Sequence, residues 1–180
     1  MSFMVADRQL LDDRFSLVYE ELRRLAARVL RGEHNAKLTP TTLVHETWLK
    51  LAHSPEIAGT APLHFRRIAA RAMRQVLVDH ERHRRADKRD GGERITLTSL
   101  DLPDPSRAVD LLALDEALNG LEKLDPRKAR VIELRVFGGM DFADVAQALD
   151  ISRATLARDF RTARAWLYRA LELDAPLADA

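Results

Sequence analysis

Asp141 to Arg164 reads D-F-A-D-V-A-Q-A-L-D-I-S-R-A-T-L-A-R-D-F-R-T-A-R. The spacing predicts a short helix with Val145, Ala146 and Leu149 inward, a turn at Asp150-Ile151, and a second helix opened by Ser152. That is a helix-turn-helix pattern. Small Ala146 lets the two helices approach, Ile151 plugs the corner, and Leu156 and Phe160 anchor the second helix to a core. Arg153, Thr155, Arg158 and Arg161 then face outward, placed to reach phosphates and base edges in a major groove. Glycine is common where Asp150 stands, so the turn is the step at which the pattern departs from the usual choice.

Working outward, the rest of the chain also reads as helices. Leu11, Phe15, Val18, Leu22, Leu25, Ala26 and Val29 step by three and four, one face of a helix ending near Arg31-Gly32. Thr39 to Leu51, T-P-T-T-L-V-H-E-T-W-L-K-L, opens with Thr at the N-cap and Pro at the first helical position. His53 to Pro62 is a loop by its two prolines and glycine. A third long helix places Phe65, Ile68, Ala69, Ala72, Val76 and Leu77 inward and its arginines outward. After Gly91-Gly92 the helical period is lost until about Val109, a linker of roughly twenty residues. Helices resume at Asp110 to Leu121, Asp125 to Phe137, Phe142 to Leu149 and Arg153 to Leu173, with a break at Gly138-Gly139. The expectation is an all-α chain: two small helical domains, 1–92 and 110–180, joined by a linker at 93–109.

The 180 residues carry 29 basic and 28 acidic side chains, a net charge of +1, and no cysteine. Disulfides, thiolate metal sites and cysteine nucleophiles are therefore excluded. No apolar run approaches the roughly 20 residues of a membrane span, and the first residues lack a signal-peptide pattern, so a soluble cytoplasmic protein is expected. The small net charge conceals segregation. Phe65 to Asp90 holds nine Arg/Lys against four acids, Leu100 to Asp125 seven acids against two bases, and Arg153 to Arg169 five Arg against Asp159. Such alternation suits two polyanion-binding surfaces joined by a segment that avoids the duplex.

Within Thr39 to Leu51, the pairs Leu43-Val44 and Glu46-Thr47 resemble the segment by which extracytoplasmic-function (ECF, group IV) sigma factors of the sigma-70 family grip RNA polymerase. That segment is usually close to D-A-E-D-L-V-Q-E-T-F, and its three acids fall on Thr39, Thr41 and Thr42. The stretch L-D-P-R-K-A-R-V-I-E-L-R, the helix-turn-helix and A-R-A-W-L-Y-R-A-L resemble the promoter −35-reading domain of the same family. The resemblance covers Leu10 to Asp90 and Asp110 to Leu171. It implies an alternative sigma factor whose first domain melts and reads the −10 element, while the linker threads toward the polymerase's RNA exit path. It further implies −35 contacts from Ser152, Arg153, Thr155, Arg158 and Arg161, and −10 contacts from His64, Arg67, Arg71 and Arg74. Contacts to the coiled coil of the largest polymerase subunit would come from Thr39, Thr41, Thr42, Glu46 and Lys50. Where the family often shows W-L-x-x-I-A-x-N, this chain has His64 for the Trp and Arg71 for the Asn. A guanidinium does not reproduce an amide's paired donor and acceptor.

Hydroxyls standing where the family carries carboxylates make Thr39, Thr41 and Thr42 candidates for phosphorylation by a Ser/Thr protein kinase. The runner-up function is a free-standing helix-turn-helix regulator that dimerises through its N-terminal helices. Catalysis is not expected: His45-Glu46 lacks the second histidine of H-E-x-x-H, since Leu49 stands there. His34, His53, His80 and His83 read as solvated, Trp48 and Trp166 as core anchors, and Asp79 and Glu81 as partners of neighbouring arginines. No metal and no cofactor is expected.

Overall fold

The computed structural model describes residues 2–30, 38–52, 61–87, 96–97 and 109–172. They form α1 (Ser2–Val29), α2 (Pro40–Ala52), α3 (Pro62–Ala86), β1 (Thr96–Leu97), β2 (Val109–Asp110), α4 (Leu111–Leu124), α5 (Pro126–Val136), α6 (Phe142–Ala148) and α7 (Arg153–Ala170). The all-α expectation holds. The first helix begins well before the periodic run from Leu11, and the presumed domain end at Gly91-Gly92 lies outside the described residues. So does most of the 93–109 linker. Its described ends meet in a two-residue antiparallel ladder, Thr96 opposite Asp110 and Leu97 opposite Val109, which the sequence pattern did not announce.

Five of the helices, α2 and α4 to α7, begin where a side chain satisfies otherwise orphaned N–H groups, whereas α3 follows Ala61 without a side-chain cap. Asp110 Oδ1 accepts from the backbone N–H groups of Leu112 and Ala113 at 3.0 and 3.1 Å, and Asp125 Oδ1 from that of Lys128 at 3.1 Å. Pro40, Pro62 and Pro126 each occupy the first helical position, where the missing N–H costs nothing. Removal of such a cap costs about 1 kcal/mol.

Burial follows the predicted faces. Phe15, Leu22 and Leu25 of α1 pack on Leu43, Val44 and Leu51 of α2, and these on Phe65, Met73 and Leu77 of α3. Trp48 is half-buried against the same core, 6.1 Å from the Phe15 ring centroid. Leu114, Leu118, Leu134, Leu156 and Leu167 fill the space between α4, α5 and α7. These two groups merge: α3 packs directly on α4, α5 and α6, and the buried residues form one cluster. Gly139 sits at that junction with φ +58°, in the left-handed region, and an added Cβ would meet Leu25 Cδ1 at 3.3 Å.

Candidate polymerase and nucleic-acid interfaces

The α6–α7 unit is built by its turn. After α6 the backbone N–H of Asp150 donates to Gln147 O (3.2 Å) and that of Ile151 to Ala146 O (3.0 Å), while Asp150 takes φ +52°. This is the left-handed conformation that glycine adopts freely and that Asp tolerates better than most residues. The turn therefore forms without glycine. Ser152 Oγ then accepts from the Thr155 N–H at 3.1 Å and opens α7. Leu156 and Phe160 are buried, and Phe160 meets Phe142 edge-on with centroids 5.0 Å apart. Behind them Arg127 Nε donates to the buried Asp159 at 2.7 Å; this hydrogen bond raises the Arg127 pKa. Arg153, Arg158 and Arg161 are exposed and Thr155 half-buried, so the four share the outer side of α7 with Ser152 at its start.

At the start of α2, Thr39 Oγ1 accepts from the Thr42 N–H at 3.1 Å and lies 2.8 Å from Thr42 Oγ1. Thr39, Thr41 and Glu46 are exposed and Thr42 is half-buried, and no acid stands in the first helical turn. Thr47, by contrast, is wholly buried and donates to the Leu43 carbonyl at 2.7 Å. Lys50 is exposed and donates to Asp79 of α3 at 3.0 Å. Asp79 thus pairs with a lysine of α2 rather than with a neighbouring arginine.

The α3 arginines depart furthest from the expected arrangement. His64 Nδ1 and Arg67 Nη2 lie 2.7 Å apart, and both residues are half-buried. Arg66 reaches Glu21 of α1 at 3.3 Å and Asp144 of α6 at 2.7 Å. Arg71 lies 3.7 Å from Glu122, with about half of its side chain exposed. Arg74 is not outward at all: only 9% of its side chain is exposed. Its Nε donates to Asp115 Oδ1 (2.9 Å), its Nη1 to Glu133 Oε1 (3.2 Å), and its Nη2 to the Asp115 carbonyl (3.0 Å) and Asn119 Oδ1 (2.8 Å). Every nitrogen of the guanidinium is engaged. Arg82, more exposed, lies 3.3 Å from Asp115 Oδ2.

At the end of α3, Glu81 is fully buried and accepts from Arg84 and Arg85. Burial alone would raise its pKa, but hydrogen bonds and charge from the two arginines outweigh it and hold the carboxyl below its ordinary value. Asp110 follows the same logic. Burial raises it, while the N–H groups at the α4 start and Arg85 together lower it. The acidic block at the start of the second half therefore does not stand apart: it pairs with the basic helix. Its signal was present as spacing, since Asp115, Asn119 and Glu122 recur by four and three on one face of α4.

Among the described residues no group of three or more His, Asp or Glu side chains could hold a metal ion, and no helix is long and apolar enough to cross a membrane. His45 is exposed beside Tyr19, and His83 Nδ1 lies 2.7 Å from the Asp79 carbonyl. His34 and His53 lie outside the described residues.

A family model described as ECF sigma factor matches residues 6–173. The chain belongs to the ECF sigma factor family, transcription proteins that bind core RNA polymerase and promoter DNA. No curated protein matches it.

Proposed function

We propose that this chain is a dissociable polymerase subunit that selects promoters: α2 docks on the coiled coil of the largest subunit, α3 reads the −10 element, and α7 reads the −35 element. The observation that carries this reading is the family match across nearly the whole chain, joined to an α7 whose outer side presents Arg153, Arg158 and Arg161. On this reading 1–92 and 110–180 act as separate domains on the polymerase, and the segment between them lies along its surface. Run-off transcription is the test. Specific transcripts are expected only when core polymerase and the protein are both present. Tight binding to a promoter duplex by the protein alone, with no specific transcript on adding core enzyme, would instead support the free-standing regulator.

The charge missing from α2 belongs to the same proposal. Thr39 and Thr41 are exposed at a helix N-terminus, and a phosphate there carries about −1.5 to −2 charge beside free N–H groups and the positive end of the macrodipole. A Ser/Thr protein kinase acting on Thr39, Thr41 or Thr42 would restore the acidity that the basic coiled coil requires. Core-polymerase affinity is expected to rise on Thr→Glu substitution or phosphorylation and to stay low in the triple-Ala form. Tight binding by the unmodified and triple-Ala forms, with no gain on Thr→Glu substitution or phosphorylation, rules this switch out.

A further inference from the structure

Resting on the sigma-factor reading above, we infer that Arg127 and Gly120 are positioning residues for promoter reading: they fix the rotation of α7 about its axis, and so decide which base edges Arg158 and Arg161 meet. Asp159 is the central observation. It is the single acid of α7, only 2% exposed, and it stands directly after Arg158 and two residues before Arg161. Arg127 holds it with a fork, Nε donating to Oδ2 at 2.7 Å and Nη2 to Oδ1 at 3.4 Å. The holder is itself fixed, because Pro126 opens α5 and Asp125 Oδ1 caps it through the Lys128 N–H at 3.1 Å.

A second hold lies two turns further along the same face of α7, about 10 Å along the axis. Gly120 of α4 leaves a slot there for Trp166: a Cβ at this glycine would stand 3.1 Å from Trp166 Cη2 and 3.6 Å from Cζ2. Fork and slot together set both the rotation and the tilt of the helix. Apolar packing alone sets neither, because the burial of Leu156, Phe160 and Leu167 is non-directional and survives a small rotation. Base reading is less tolerant. With side chains reaching about 6 Å from the axis, a turn of about 10° carries a tip about 1 Å sideways, enough to break a base-edge hydrogen bond. A buried ion pair adds little net stability, since desolvation offsets its attraction, so what the fork contributes is one fixed orientation.

The experiment uses the full chain, alone and with core polymerase, to retrieve sequences from a duplex pool randomised across the −35 window. Arg127→Lys keeps the charge and loses the fork, whereas Gly120→Ala fills the slot while favouring helix. Each is expected to change the order of preferred bases, or to lower the ratio of best to next base about tenfold at one or two positions, with helix content unchanged. The profile of Arg127→Lys/Asp159→Asn is expected to match that of Asp159→Asn alone, because Arg127 acts through Asp159. For either residue, an unchanged profile, or the uniform weakening of all sequences that a lost phosphate contact gives, overturns its positioning role. If circular dichroism shows that Arg127→Lys has lost helix, Gly120→Ala decides alone. A wild type that selects a defined sequence as the free chain, yet gives no specific run-off transcript with core polymerase, counts against the sigma reading and leaves the variants to decide the positioning. A wild type that selects no sequence in either form overturns both.

Discussion

Arg158 and Arg161 carry the simplest prediction, because nothing in the core depends on them. Both are exposed on α7. Arg158→Ala and Arg161→Ala are expected to leave helix content and core-polymerase binding unchanged while weakening promoter use. A lost base contact costs about 1 to 3 kcal/mol and relaxes preference at one promoter position, whereas a lost phosphate contact weakens all sequences alike. Transcription from a set of −35 variants separates the two, and full activity in both mutants would place the reading surface elsewhere. Arg74 is the opposite kind of arginine. Replacing it strands Asp115 and Glu133 in a buried site, and breaking a buried pair from one side costs about 3 to 5 kcal/mol. A loss of function in Arg74→Ala would therefore report on folding as much as on DNA.

Helices were legible wherever local chemistry fixes them. Thr39-Pro40 opened α2, Ser152 opened α7, and the three-four spacing of Leu22, Leu25, Ala26 and Val29 placed one face of α1 in the core. Asp150 marks the edge of such reasoning. A pattern that favours glycine tolerates Asp at φ +52° because its short polar side chain suits that conformation, and one sequence alone does not reveal that compensation. The orientation of Arg74 was not legible for a different reason. Helical periodicity sorts apolar from polar positions, and an arginine whose partners lie 41 and 59 residues away is sorted as surface. The candidate −10 residues thus form one set in sequence although their surroundings differ, from half-exposed Arg71 to the enclosed Arg74. The ladder of β1 and β2 is not legible in the sequence because two residues on each side are too few to show a period of two.

Contacts between the two halves make the protein's stability depend on pH in a definite direction. Asp110, which bridges the start of α4 to Arg85 of α3, has a lowered pKa in the folded chain, as does Glu81, which holds the same Arg85 from within α3. A carboxylate whose pKa is lowered on folding stabilises the native state above its unfolded value, and that contribution disappears as pH falls through the lowered folded value. The packing of α3 on α4 is therefore expected to be fully supported at neutral pH and to weaken below about pH 4. Small-angle scattering across an acid titration should show expansion before far-ultraviolet circular dichroism shows loss of helix. Simultaneous loss of both would show that the two halves do not separate before they unfold.

Asp110 holds three connections in one residue. Its backbone lies in the ladder opposite Thr96, its Oδ1 caps α4, and its Oδ2 meets Arg85 at the end of α3. Mechanically it is a rivet through three plates. Through this residue β2 is tied to the start of one helix and the end of another. What a fault at Asp110 undoes therefore depends on the replacement. Replacement by alanine removes the cap and the charge together, whereas asparagine retains a capping oxygen and releases only Arg85, so the pair of variants tells the helix's share of the load from that of the joint.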